Sequence, residues 1–147
     1  MTGARLSSET VHASTVAIEG RAVLITGISG SGKSDLTLRL LDRGFALVSD
    51  DQTIVRRDGD RLIAAPPPTI AGKLEIRGLG IVDMDWLSDV PVALLVELTS
   101  DIQRIPDDSR ERPILGVAIP LISIDAMAAS APSKVAFALD RMGLRFQ

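Results

Sequence analysis

A loop of the form G-x-x-x-x-G-K-S is the strongest chemical signal in the sequence. Its residues are Gly27, Ile28, Ser29, Gly30, Ser31, Gly32, Lys33 and Ser34. Glycines in such a loop let successive backbone N–H groups converge on a phosphate, and the helix that follows adds partial positive charge. Lys33 supplies a mobile ammonium, and a serine in the place of Ser34 ligates magnesium in loops of this kind. The sequence therefore predicts that this loop binds a nucleoside triphosphate together with Mg2+.

Two adjacent carboxylates, Asp50 and Asp51, follow the loop closely. Asp51 lies 18 residues after Lys33, which leaves space for one helix and one strand. At a strand end such a pair can divide the work of phosphoryl transfer, one carboxylate near the cation and the other accepting a hydroxyl proton. A solvated turn is the plain alternative, because Asp is common in turns. The preceding loop favours kinase chemistry.

Four other residues are candidates whose roles the spacing leaves open. His12 is the only histidine, and a lone histidine is more often structural than catalytic. Glu75 and Arg77 would project from one strand face if that segment is extended, where a solvated ion pair is the simpler interpretation. Arg104 lies in a loop crowded with charge. It is either a surface arginine or a group that reaches a transferring phosphoryl group.

Hydrophobic spacing and glycines predict the elements that must position these groups. In chain order they are strands 16–18 and 22–26, a helix over 34–43 ended by Gly44, strands 46–49, 53–57, 61–64, 92–98 and 117–124, and a helix from Ser130 or Ser133 to Met142, ended by Gly143. Strands 16–18 and 22–26 are expected to form a hairpin, as are strands 53–57 and 61–64. Residues 73–84 are rich in glycine, and residues 101–112 are predicted to form an exposed loop.

Composition narrows the possible functions further. A chain of 147 residues fits one domain, and with three Phe, one Trp and no Tyr its core must be built from aliphatic side chains between the layers of an α/β fold. No apolar run approaches the ~18 residues that cross a bilayer. A net charge of −3 without a basic block disfavours nucleic acid, and the lack of cysteine excludes thiolate chemistry. Residues 1–14 do not have the pattern of a secretory signal, so we expect a cytoplasmic protein.

Several segments, in the same order, resemble the C-terminal kinase domain of HPr kinase/phosphorylase, the bifunctional regulator of the bacterial phosphotransferase system and thereby of carbohydrate metabolism. They are Val11-His12-Ala13-Ser14, the loop over 27–34, Leu47-Val48-Ser49-Asp50-Asp51 and Leu74-Glu75-Ile76-Arg77-Gly78-Leu79-Gly80-Ile81-Val82-Asp83-Met84. The last of these closely resembles the family signature. The resemblance implies a P-loop domain of the phosphoenolpyruvate-carboxykinase-like or HPr kinase type, with a mixed sheet flanked by helices.

The same resemblance implies roles for individual residues. The implied catalytic residues are His12, Lys33, Asp51 and Arg104, the implied magnesium ligands are Ser34 and Glu75, and the implied ATP contacts are the eight loop residues. Asp51 would accept the proton of the target serine and return it in the reverse reaction, with His12 beside it. The expected activity is ATP- and Mg2+-dependent phosphorylation of a serine in HPr or an HPr-like carrier, by a protein that forms a homo-oligomer.

Two departures from the family pattern refine this expectation. Few residues precede His12, so the chain resembles the short alphaproteobacterial form, and we expect residues 1–147 to be a single catalytic domain without an N-terminal regulatory domain. Where the family has a Pro-Gly-Arg-Asn segment linked to dephosphorylation, this chain has Ala131-Pro132-Ser133-Lys134. Reverse phosphorolysis therefore stays open.

Two other functions are compatible with the phosphate loop. A small-molecule kinase could use the same loop, although the arginines of its usual lid are hard to find here. A nucleotide-binding sensor without catalysis would need only the loop. The joint presence of His12, Asp51, Glu75 and Arg104 argues against the sensor.

Overall fold

The computed structural model describes residues 7–100 and 110–146. Its strands are β1 (Ser8–Val11), β2 (Ala13–Ile18), β3 (Arg21–Thr26), β4 (Ala46–Ser49), β5 (Thr53–Asp58), β6 (Arg61–Ala65), β7 (Lys73–Ile76), β8 (Gly80–Asp83), β9 (Val90–Leu98), β10 (Glu111–Ile114) and β11 (Val117–Ile124). The helices are α1 (Lys33–Leu41) and α2 (Ala131–Met142), and a 3-10 turn spans Pro68–Ile70. The predicted α/β class with a mixed sheet and flanking helices is confirmed.

The main sheet has the order β1-β5-β6-β9-β3-β2-β4, with β10 and β11 attached through β9. Strands β3, β9 and β11 are parallel to one another, while β2 runs antiparallel to both β3 and β4. β9 is flanked on one side by β3, and it pairs with β6 through its first residues and with β11 through its last. The strands β7 and β8 form a separate two-stranded sheet.

This topology brings three chain segments to one edge of the sheet. β3 ends at Thr26, directly before the phosphate loop, and Ala13 at the start of β2 pairs with Thr26. Thr15 pairs with Ser49, the last residue of β4, so the segment after β4 reaches the same edge. His12, the phosphate loop and the two aspartates therefore meet there, although they lie far apart in the sequence.

The sheet is covered by apolar side chains on both faces. Val23 and Ile25 of β3 pack with Leu36 and Leu40 of α1 and with α2, whereas Leu24 packs on the opposite face with the strands β5 and β6. Burial on both faces explains why residues 22–25 are continuously apolar rather than alternating. Each fully buried leucine contributes about 1.5–3 kcal/mol of transfer free energy, so the strand that carries the loop is firmly held.

Most of the predicted elements are confirmed, with shifted ends. Both predicted hairpins are present, and β2 begins three residues earlier than predicted because Ala13, Ser14 and Thr15 also pair with β3. Helix α1 ends at Leu41 rather than at residue 43, because the chain turns back on its last carbonyl groups before β4. Helix α2 follows Ser130, whose side chain makes no capping hydrogen bond.

Three predictions about strands are wrong. The first strand is β1, which is mostly exposed and pairs with β5, so it has no apolar pattern by which to recognise it. Residues 111 and 112 belong to β10, which pairs with β11, and not to a loop. β7 ends at Ile76, so Arg77 lies in the turn of the β7–β8 hairpin and does not share a strand face with Glu75.

Residues 101–109, which include Arg104, lie outside the described residues. Within the described part of the chain, no helix has the length and apolar character needed to span a membrane.

Candidate active site

The phosphate loop connects β3 to α1 in a conformation that requires glycine at specific places. Gly32 caps the N-terminus of α1 with a left-handed φ of 100°, which a residue with a side chain rarely adopts. A Cβ atom on Gly27 would collide with the hydroxyl of Ser31 and lie 3.1 Å from the Cβ of Leu98. The loop is therefore tightly folded over the end of β3.

Lys33 lies folded beneath this loop. Its side chain is buried, and its Nζ donates hydrogen bonds to the carbonyl oxygens of Gly27 at 3.0 Å and Ile28 at 3.4 Å. Among residues 7–100 and 110–146, no carboxylate forms an ion pair with it. The hydroxyl of Ser31, also in the loop, is buried without a hydrogen-bond partner. Because buried charges and hydroxyls need partners, these groups fit an anionic oxygen ligand such as a phosphate.

Asp50 is the buried centre of the site. Its Oδ1 accepts hydrogen bonds from the hydroxyls of Ser34 at 2.8 Å and Ser14 at 3.0 Å, and its Oδ2 accepts one from the backbone N–H of Glu75 at 3.1 Å. The carboxylate thus joins β2, the start of α1 and β7. A solvated turn, the alternative for the two aspartates, is excluded for Asp50, which is only 8% exposed.

Asp51, in contrast to Asp50, has an exposed side chain. Its Oδ1 lies 2.8 Å from His12 Nε2, and the two side chains are 59% and 54% exposed. Its backbone has a left-handed φ of 67°, and its N–H donates to the hydroxyl of Ser14 at 2.9 Å. Exposed ion pairs add little to stability, so this pair is better explained by chemistry than by folding.

A cleft joins this acid and histidine pair to the phosphate loop. It has a volume of about 420 Å³ and is lined by Thr10, Val11, His12, Ser29, Asp51 and Gln52. A hydroxyl that entered the cleft would therefore meet Asp51 on one wall and the phosphate loop on another. This is the arrangement that general-base catalysis of phosphoryl transfer requires.

The predicted magnesium ligands, Ser34 and Glu75, both contact Asp50. Ser34 does so through its hydroxyl, and Glu75 does so through its backbone N–H, while its side chain is exposed. No group of three His, Cys, Asp or Glu side chains that could hold a metal occurs among the described residues. Mg2+ commonly uses one or two carboxylates and completes its shell with water and phosphate oxygens, so this donor set fits it.

The structure thus brings together all of the predicted site residues that it describes. Sequence reasoning assigned no role to Ser14, which contacts both aspartates. It placed one carboxylate of the aspartate pair near the cation but did not name Asp50 as a metal ligand. Asp50 carried a signal, its place beside Asp51 at the end of an apolar strand. Ser14 lies in one of the segments that resemble the family, beside His12, but a serine at that place has no pattern of its own that marks it as functional. The role predicted for Arg104 stays a prediction.

Comparisons with known proteins agree with this architecture. Residues 4–139 match the family model described as HPr Serine kinase C-terminal domain. The HPr kinase/phosphorylase of Chlorobium limicola is 39% identical over 127 residues, covering 77% of this chain and 38% of the relative. That of Prosthecochloris aestuarii is 38% identical over 126 residues, with 77% and 37% coverage. The chain therefore spans less than half of the length of these curated relatives.

A solved structure of a protein with a similar name matches this chain over nearly its whole length. The HPr(Ser) kinase/phosphatase from Coxiella burnetii superimposes with a TM-score of 0.77 and 30% sequence identity, covering 90% of this chain and 94% of that chain. At this level of identity and coverage the likeness extends beyond the general α/β class to the family itself.

Proposed function

This chain belongs to the HPr serine kinase C-terminal domain family, and from that premise we propose that it is a serine kinase acting on HPr or an HPr-like carrier protein. The observation that carries the proposal is the cleft in which Asp51, paired with His12, faces Ser29 of the phosphate loop. ATP is the proposed phosphoryl donor. The open cleft suits a hydroxyl presented by another protein.

In the proposed reaction the bond between the γ-phosphorus of ATP and its bridging oxygen breaks, and a bond to the serine Oγ forms. Asp51 accepts the proton that the serine hydroxyl loses, and His12, in contact with the same carboxylate, holds its orientation. Lys33 and the backbone N–H groups of the phosphate loop neutralise charge on the phosphates. ADP and phosphoserine are the products.

Ser34, Asp50 and Glu75 are the residues that would hold Mg2+ in this proposal. When bound, Mg2+ would neutralise the phosphate oxygens and so favour transfer. The chain's own contribution is to fix the donors: Asp50 ties Ser34 of α1 to Glu75 of β7 through a carboxylate that is almost completely buried.

Several expectations from the sequence belong to the same proposal. They are a single catalytic domain over residues 1–147, a cytoplasmic location, a homo-oligomeric assembly and Arg104 as a further catalytic residue. The net charge of −3 agrees with a protein partner rather than nucleic acid. Reverse phosphorolysis of the phosphoserine would use the same Asp51, which would return its proton to the serine oxygen.

The test is intact-mass analysis of an HPr protein incubated with this chain and Mg·ATP. We expect the HPr to gain the mass of one phosphoryl group, on a serine. We expect the Asp51→Asn variant to bind ATP without transferring its γ-phosphoryl group. If ATP binds but HPr gains no mass with the unmodified chain, the kinase proposal is wrong. Turnover of ATP with a metabolite would then indicate a small-molecule kinase, and absence of turnover would indicate a sensor.

A further inference from the structure

The side chain of Ser14 forms hydrogen bonds with both Asp50 and Asp51. Ser14 is the second residue of β2 and is completely buried. Its hydroxyl donates to Asp50 Oδ1 at 3.0 Å and accepts the backbone N–H of Asp51 at 2.9 Å. Because an amide can only donate, the single hydroxyl proton must go to Asp50. Both hydrogen bonds are therefore directional, and the hydroxyl has one orientation.

The two aspartates depend on this hydroxyl to different degrees. Asp50 retains hydrogen bonds from Ser34 and from the Glu75 backbone if Ser14 is removed. Asp51 has a left-handed φ of 67°, a conformation that costs free energy for any residue other than glycine. The turn at Asp51 is closed by the N–H of Gln52, which donates to the carbonyl of Asp50 at 2.7 Å, and the hydroxyl of Ser14 accepts the N–H of Asp51 itself. Without that hydroxyl only the Gln52 bond would hold the turn, and we expect the carboxylate of Asp51 to move away from His12.

We propose that Ser14 is a positioning residue for the proposed phosphoryl transfer, on which this inference rests: its hydroxyl holds Asp51 in the left-handed turn that directs the carboxylate toward His12 and the cleft. Ser14 acts through Asp51 and, more weakly, through Asp50. It is buried and does not line the cleft, so it does not contact the substrate.

Thr15, the next residue, offers a matched control. It is also completely buried, and its hydroxyl bonds that of Thr53 at 2.8 Å, while the Thr53 hydroxyl also donates to the carbonyl of Ala13. These bonds join β2 to β5 and do not involve either aspartate. Thr15→Val therefore removes a buried hydroxyl from the same strand without touching the site.

The first experiment compares the steady-state kinetics of Ser14→Ala and Thr15→Val. We expect Ser14→Ala to lower kcat by about tenfold or more, the size expected for a lost hydrogen bond at a catalytic base, with the KM for ATP within about twofold of the unmodified value. Thr15→Val is expected to keep kcat within about twofold even if it lowers the melting temperature. Ser14→Thr, which retains the hydroxyl, should recover most of the activity.

The second experiment measures amide hydrogen exchange of Asp51 by NMR and requires no activity. We expect faster exchange at Asp51 in Ser14→Ala and unchanged exchange in Thr15→Val. Equal kcat and equal Asp51 exchange in Ser14→Ala and the unmodified chain would overturn the role of Ser14. A failure of the unmodified chain to phosphorylate HPr would instead overturn the proposed function, while the exchange data would still decide whether Ser14 holds the Asp51 turn. If Ser14→Ala does not fold, Ser14→Cys, with a weaker donor of similar size, replaces it in both measurements.

Discussion

The phosphate loop and the β7–β8 hairpin contact the same carboxylate, that of Asp50, but they are stabilised in different ways. The loop follows β3, a strand whose side chains are buried on both faces of the main sheet. The hairpin is a separate two-stranded sheet in which Leu79 is 75% and Ile81 is 67% exposed. A two-stranded hairpin is marginal in water, so this one depends on the contacts at its base.

Those contacts are made mainly by β7, which packs against α1. Leu74 is completely buried, and the N–H of Met84 donates to the carbonyl of Gly72 at 2.8 Å, closing the base of the hairpin. The link to the active site is the hydrogen bond from the Glu75 N–H to Asp50. The difference indicates a rigid phosphate-binding region joined to a segment of lower local stability, which is the kind of element that can move during a reaction cycle.

Lys33→Ala would give the largest effect, and it tests the phosphate-loop side of the comparison. Removing the ammonium is expected to lower phosphoryl transfer by about 100- to 1000-fold, the range measured for loss of single electrostatic groups in such sites. The fold should survive, because Lys33 bonds only loop carbonyl groups among the described residues. HPr phosphorylation measured by mass, with circular dichroism as the folding check, decides the outcome. Transfer at the rate of the unmodified chain would show that Lys33 does not act on the phosphates.

Gly72→Ala would give a smaller effect, confined to the hairpin side. An added Cβ would lie 2.7 Å from the ring of Trp86 and 2.8 Å from the Met84 carbonyl oxygen, at a φ of 75°. We expect the free energy of unfolding to fall by about 2–3 kcal/mol, with faster amide exchange in residues 73–83 and little change around the phosphate loop.

Gly78→Ala is the matched control for this variant. Gly78 lies in the hairpin turn with a φ of 89°, but a Cβ there would meet nothing within 4 Å. The Gly78→Ala variant has the backbone strain without the collision, so we expect its free energy of unfolding to fall by about 1 kcal/mol. Equal losses in the two variants would mean that the Trp86 contact does not secure the base of the hairpin. Faster exchange in the phosphate loop of Gly72→Ala would contradict the separation of the two regions.

The parts of the fold that sequence reasoning predicted are those specified by local patterns. The glycine spacing of the loop, the apolar run of β3 and the leucines of α1 each identify an element within a few residues. The contacts of Asp50 are different, because its partners Ser14, Ser34 and Glu75 are 36, 16 and 25 residues away. They depend on the pairing of β2 with β4 and on where the hairpin packs, and no local pattern encodes either.

The same physical limit explains the errors. β1 is mostly exposed, and the segment at Glu111 is charged, so both lack the apolar alternation by which a strand is recognised. They become strands because β5 and β11 offer them edges with which to pair. The left-handed backbone of Asp51 was likewise not predicted, because the bond from its N–H to the hydroxyl of Ser14 joins it to a distant strand.

Lys73→Met would give the smallest effect and refines the account of how the hairpin is held. Lys73 and Asp83 are paired across its two strands at 2.8 Å, with side chains 46% and 79% exposed. An exposed pair of this kind contributes about 0.5 kcal/mol or less and is weakened by salt, whereas the apolar burial of Leu74 is not screened by salt. Urea unfolding at low and high ionic strength should therefore show a small loss for Lys73→Met that disappears in high salt. A loss above about 1.5 kcal/mol that persists in high salt would mean that the ion pair, and not the apolar base, fixes the hairpin against Asp50.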